Sequence, residues 1–247
     1  MDLWRSTFRA AVGGGLAAGA VAAAFTLVVV EPAIRQALTV EENRAAMEHT
    51  HETELVSRGV QQVGGAVAVI VAALLLSTLY AVALTRVRKW TKLSELSSAL
   101  LVAGAGFAIF SLVPALKYPA NPPAVGNPDT ITERTLLYAC SIAVAALTVA
   151  SVVTVVRTGR RRAWTPVRLC WNIVGVVALG IVVLFVGLPA SPDAIPADVA
   201  ANLVWQFRLK SLGTLFLLWT TLGLVTGTAL ARKVDAYNRV HRALIAR

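Results

Sequence analysis

The chain has 247 residues, 57% of them hydrophobic, with a mean hydropathy of +0.69 and only 15% charged residues. Soluble domains carry about 25% charged residues, so this balance excludes an ordinary soluble globular protein. The net charge of +10 is concentrated at the ends of apolar runs, which excludes a nucleic-acid platform; Cys140 and Cys170 show no C-x-x-C pattern, and the derived topology sets them too far apart for a disulfide.

The apolar runs are hydrophobic all round for about twenty residues, the length a helix needs to cross a bilayer. They lack the two-residue alternation of a barrel strand. The expected fold is an all-α membrane protein: six transmembrane helices arranged as three hairpins in one polytopic domain, residues 1–247. Arg5 and Arg9 precede the first span, residues 10–30. This start resembles a signal peptide, but the run is long for an h-region and shows no convincing cleavage site before Glu31, so an uncleaved helix is expected. Within it, Gly15 and Gly19 form a GxxxG pair that permits close approach of another helix. A polar stretch follows at 31–62, where Thr39-x-x-Glu42 has the spacing of a capping box. The remaining spans are expected at 63–84, 97–113, 136–156, 169–188 and 211–231.

Six spans put both termini on one side. Sixteen lysines and arginines fall on that side and seven on the other, so the termini are expected to be cytoplasmic, in a multi-pass plasma-membrane protein. The basic inner face suits contact with anionic lipid.

The longest interruption of the apolar pattern is Pro114 to Tyr138, with five prolines between Pro114 and Pro128. Proline supplies no N–H and pushes the residue before it toward extended backbone, so a kinked, stiff path is expected through Tyr118, Asn121 and Asn127. Gly126 permits a positive φ, and Thr130 to Glu133 has the spacing of a capping box for the next helix. Tyr118 to Thr130 is expected to fold back onto the bundle, because a proline-rich path loses little entropy on ordering.

This stretch, PxLKYPANPPAVGxPxTIxxRTxxY, resembles the CbtA family of predicted cobalt transporter subunits. The resemblance continues at Val30-Glu31-Pro32, at Val56-Ser57-Arg58, and through Trp205 to Gly213. It implies an integral membrane subunit of a cobalt uptake system, paired with a small, single-span, histidine-bearing CbtB partner. Members of the family are usually drawn with fewer spans than the six read here.

A faint repeat accompanies the spans. Outward spans close on Pro32-Ala33, Pro114-Ala115 and Pro189-Ala190, and returning spans open beside Arg58, Arg134 and Arg208, 76 and 74 residues apart. Repeats in transporters often place a site at their interface, but prolines and charges that simply mark helix ends are the favoured reading. The outer-face polar cluster comprises Glu31, Arg58, Gln61, Asp129, Glu133, Arg134, Gln206 and Arg208, with Gln62 and Lys210 nearby. Here Glu31, Asp129 and Glu133 are expected to balance the arginines, with Arg134 near Arg208 and Trp205.

In the first polar stretch, Glu48, His49, His51 and Glu52 supply imidazole and carboxylate donors suited to Co²⁺, Ni²⁺ or Zn²⁺. If that segment is helical, Glu48, His51 and Glu52 share a face; if extended, His49 and His51 do. Either arrangement gives too few ligands for a closed structural site. The cobalt resemblance, not the spacing, is what favours metal capture over a solvated loop. No ionisable residue lies mid-span, which argues against a self-contained proton-coupled carrier.

No nucleophile–base pairing, HExxH or phosphate-cradling glycine loop is present, so no enzyme activity and no resident cofactor are expected. The reading is a metal-uptake subunit; the alternative is a non-transporting polytopic scaffold that assembles a partner membrane complex. A homo-oligomer fits either.

Overall fold

In the computed structural model the described residues are 3–47, 49 and 56–245, all helical or loop with no strand among them. Helix α1 (Leu3–Phe25) runs through a π turn (Thr26–Val30) into α2 (Glu31–Met47). After it come α3 (Arg58–Trp90), α4 (Glu95–Phe107), a π turn (Ala108–Leu112) and α5 (Val113–Lys117). A short 3₁₀ turn (Pro128–Thr130) leads into α6 (Ile131–Arg161). Helix α7 (Pro166–Val182) ends in a third π turn (Val183–Gly187), and α8 (Ala201–Ile245) completes the chain. Six helical stretches are long and apolar enough to cross a membrane: Leu3–Met47, Arg58–Trp90, Glu95–Lys117, Pro128–Arg161, Pro166–Gly187 and Ala201–Arg239. Each contains one of the expected spans, except that the fifth stops one residue short of 188.

The prolines do not simply end helices. Each π turn begins six residues before Pro32, Pro114 or Pro189. Proline offers no N–H and its ring collides with the carbonyl four residues back, so widening the turn preceding it is a way to keep the helix going. At the first turn the Glu31 N–H reaches back five residues to Thr26 O. The helix then continues past Pro32 to Met47, and past Pro114 to Lys117. Only Pro189 follows a true helix end. Thr39 does not open a helix as its spacing suggested: it lies inside α2, its hydroxyl donating to Arg35 O at 3.1 Å. The alanine-rich stretch around it continues the helix.

The chain forms two compact units. One comprises Met1–Pro32, Ala45–Phe107 and Gly213–Arg247. Its core is built from small residues of α1, among them Ala11, Ala18 and Ala22, each fully buried. The GxxxG pair marks a close approach of α1 to α3, as the spacing implied. A Cβ on Gly15 would lie 2.7 Å from the Ser77 Cβ, and one on Gly19 would lie 2.8 Å from the Ile70 Cα. Only glycine allows α1 and α3 to meet there. On α8, Leu218, Trp219, Leu222, Thr226 and Leu230 make the buried stripe. Tyr80 on α3 donates to Ala99 O of α4 at 2.9 Å, satisfying a hydroxyl that would otherwise be costly to bury.

The other unit comprises Ala33–Arg44 and Ala108–Leu212. Its apolar centre joins Ala33 and Ala37 of α2, Ala124 and Val125 of the proline-rich connection, and Val199, Leu203 and Val204 around the start of α8. Tyr118, Pro122, Ala124 and Val125 are all buried, so the proline-rich path packs inward as its stiffness implied.

Candidate functional site

In the first unit, the π turn and Pro32 set the position of Glu31, whose side chain is only 7% exposed. Arg58, in the first turn of α3, grips this carboxylate with two hydrogen bonds, Nε to Oε1 at 3.1 Å and Nη2 to Oε2 at 2.7 Å. Gln62 Nε2 donates to Oε1 at 2.7 Å. Gln61 accepts from Arg58 Nη1 at 2.8 Å and donates to Val56 O at 3.0 Å. Such a forked pair fixes the guanidinium plane and satisfies a carboxylate that could not be buried alone. Of the eight residues grouped from the sequence, Glu31, Arg58 and Gln61 form one hydrogen-bonded cluster here, with Gln62 as its fourth member. At another place in this unit Arg88 pairs with Glu95 and with the Thr7 hydroxyl.

In the second unit, three arginines lace two connections together. Arg134, in the first turns of α6, lies beneath the proline-rich loop: its Nη2 approaches Asn127 O at 3.4 Å, and a Cβ on Gly126 would lie 2.7 Å from its Nη1. Gly126 has φ +120°, a backbone conformation that favours glycine. The partner of Arg134 is Asp193 of the α7–α8 connection, at 3.0 Å from a side chain that is 0% exposed. Thr130 Oγ1 lies 2.7 Å from Asp193 Oδ1, and the Asn127 N–H approaches the same oxygen at 3.4 Å. Arg208, on α8, reaches the other way: its Nη2 donates to Asn121 Oδ1 at 2.8 Å. Arg44, on α2, makes an ion pair with Asp198 at 2.8 Å and approaches Ala124 O at 3.5 Å. The Arg44 hydrogen bonds hold the Asp198 carboxyl below the usual carboxylate range. Tyr118 donates to Pro189 O at 2.7 Å, tying one proline-rich connection to the other. Burial pushes its phenol above the ordinary range, so it remains a donor.

Several expected roles move. Asp129 and Glu133 are exposed and make no ion pair among the described residues, and Asp193 takes the place assigned to them beside Arg134. The reason is local: Asn127 Oδ1 accepts the Asp129 N–H at 3.0 Å and opens a 3₁₀ turn at Pro128. Thr130 therefore already has near-helical backbone angles and does not form the Thr130–Glu133 capping box. Gln206 is exposed and donates to Asn202 of its own helix at 3.2 Å, outside the cluster. Of the expected metal ligands, Glu48, His51 and Glu52 lie outside the described residues; His49 is exposed, with φ +53°. Among the described residues no three His, Cys, Asp or Glu side chains gather closely enough to hold a metal ion. Cys140 and Cys170 are free thiols.

Asp193, Asp198 and Arg44 are members of the cluster that the sequence did not single out. The signal was the second proline-rich connection, Pro189 to Pro196, which encloses Asp193 and is followed by Asp198, much as the first encloses Asn121 and Asn127.

No curated protein and no solved structure matches this chain. A family model described as "Probable cobalt transporter subunit (CbtA)" matches residues 5–231. That match takes in both polar clusters and the apolar part of all six long helices, and the chain belongs to the CbtA family, as a multi-pass membrane protein.

Proposed function

We propose that this chain is the membrane subunit of a cobalt uptake system, with its termini in the cytoplasm and the proline-rich connections on the outer face. The family match over residues 5–231 carries this reading. The basic asymmetry of sixteen against seven supports the orientation. In this reading Glu48, His49, His51 and Glu52 are a weak capture site for Co²⁺, which is cargo and not a resident cofactor. The arginine-laced connections shape the entrance, where Asp198 and Asp193 balance Arg44 and Arg134 and so reduce their repulsion of a divalent cation. A small, single-span, histidine-bearing subunit is the partner that would complete the pathway, and no catalytic step is involved.

Cobalt accumulation in cells lacking the gene, restored by this chain with and without the small subunit, tests the proposal. Restored uptake supports it. A chain that assembles the partner complex but leaves cobalt uptake unchanged when deleted is a scaffold instead.

A further inference from the structure

We propose that the α6–α7 turn and the exposed face of α7 form a binding site for one anionic phospholipid. The reasoning begins with charge. No aspartate or glutamate occurs between Glu133 and Asp193, a stretch that contains Arg157, Arg160, Arg161, Arg162 and Arg168. Four of these, Arg160, Arg161, Arg162 and Arg168, are exposed and make no ion pair among the described residues. Elsewhere in this unit Arg44 and Arg134 each have a carboxylate. The turn concentrates four exposed guanidinium groups with no carboxylate paired to them among the described residues.

The turn is also built to hold a fixed shape. Ala163 takes φ +49°, and the Trp164 N–H closes on Gly159 O at 2.9 Å. Arg168 stacks over the Trp164 ring with 4.6 Å to its centroid. Thr165 already caps α7 by accepting the Arg168 N–H, so recognition of an anion here falls to the guanidinium forks. Those forks match phosphate oxygens in pairs.

An independent feature continues from this turn. An open groove of about 380 Å³ runs along α7, lined by Trp171, Asn172, Gly175, Val176 and Leu179. Trp171 is 71% exposed and Leu179 64%. Within α7, Arg168, Trp171, Asn172 and Gly175 have the i, i+3, i+4, i+7 spacing of one helix face, and Arg168 stacks on Trp164 of the turn, so the basic end and the groove are contiguous. A cationic end that binds phosphate, an aromatic collar at the interfacial level and an apolar groove beyond it reproduce the order of groups in a phospholipid. A soluble anion would use the first of these alone.

The test uses the full chain purified in an uncharged detergent. Native mass spectrometry would count retained phosphatidylglycerol against phosphatidylcholine, and thermal unfolding would follow each lipid. We expect at least a tenfold preference for phosphatidylglycerol, lost in the combined R160Q/R161Q/R162Q variant and retained in R232Q/K233Q at another basic segment. Because the triple change could impair insertion, Gly175→Leu provides a second arm. Its Cβ meets nothing within 4 Å, so the fold should survive while the groove is filled. Weaker lipid retention in that variant supports the proposal. Unchanged retention in Gly175→Leu, or an equal preference in a folded triple variant, overturns it. Equal stabilisation by inorganic phosphate also overturns it, in favour of a soluble anion.

Discussion

Arg134 and Asp193 form an ion pair at 3.0 Å in which the aspartate side chain is wholly enclosed. The relationship is half of an exchange. The α5–α6 connection leads into the helix that bears Arg134, and Arg134 finds its partner in the α7–α8 connection. That second connection leads into the helix that bears Arg208, and Arg208 returns to Asn121 of the first. Arg44 reaches both, through Asp198 and Ala124 O. Neither connection is complete without the other.

The pair should therefore act as a lock. Removing one partner of a buried ion pair costs about 3–5 kcal/mol, because the other charge is left uncompensated. Arg134→Ala, which strands the enclosed Asp193, is expected to lose stability on that scale, and Asp193→Ala, which leaves an arginine side chain 34% exposed, less. The double variant should lose less than the sum, by at least about 1 kcal/mol of coupling. A double-mutant cycle by denaturant unfolding in detergent checks this; simple additivity would show that the pair is not energetically coupled.

Asp198 offers a pH signature. Arg44 holds its carboxyl below the usual carboxylate range, so the contribution is present above the unfolded value of about 4 and is lost as pH falls through the folded one. Unfolding temperature should decline on that acid limb in the parent chain. Asp198→Asn should have a flatter limb and an unchanged response above about pH 5. Identical profiles for the two proteins would remove the assignment.

Much of this architecture was legible in the sequence. Six apolar stretches, the Gly15–Gly19 contact and the inward packing of the proline-rich path each follow from local rules: bilayer length, the absence of a Cβ, and pre-paid backbone entropy. Glu31 and Arg58 could be grouped because they border successive apolar runs on either side of one polar stretch. Asp193 could not, because its value lies in a fold-back of two connections 60 or more residues apart, for which composition gives no register. The π turns were missed for a related reason. Proline within an apolar helix is read as a stop, whereas a widened turn before Pro32 and Pro114 lets the helix continue.

The shared six-residue interval between π turn and proline yields a further prediction. Pro114→Ala restores an N–H and removes the ring, so α5 should join α4 with ordinary helical bonds. Proline in a helix interior costs about 3 kcal/mol, and its removal should leave the protein at least as stable. Widened turns often occur at functional places, so cobalt uptake is expected to fall despite normal stability. Full uptake by a stable Pro114→Ala chain would make the turn a packing accommodation only.

The last prediction separates Arg208 from Arg134. Arg134 has an enclosed carboxylate, whereas Arg208 has the Asn121 amide as its hydrogen-bond acceptor. No carboxylate pairs with Arg208 among the described residues, so losing its charge leaves no orphaned acid behind. A hydrogen bond from a charged donor contributes about 1.5–3 kcal/mol, less than breaking a buried ion pair. Arg208→Gln should thus retain most of the folded protein, while Arg134→Gln should lose much of it. If the connections line a cation entrance, the unneutralised Arg208 charge is the one positioned to set the barrier there. Uptake by Arg208→Gln should then change at least threefold in cells where the folded amount matches the parent chain. Unchanged uptake at equal folded amount would assign Arg208, like Arg134, to holding the connections together.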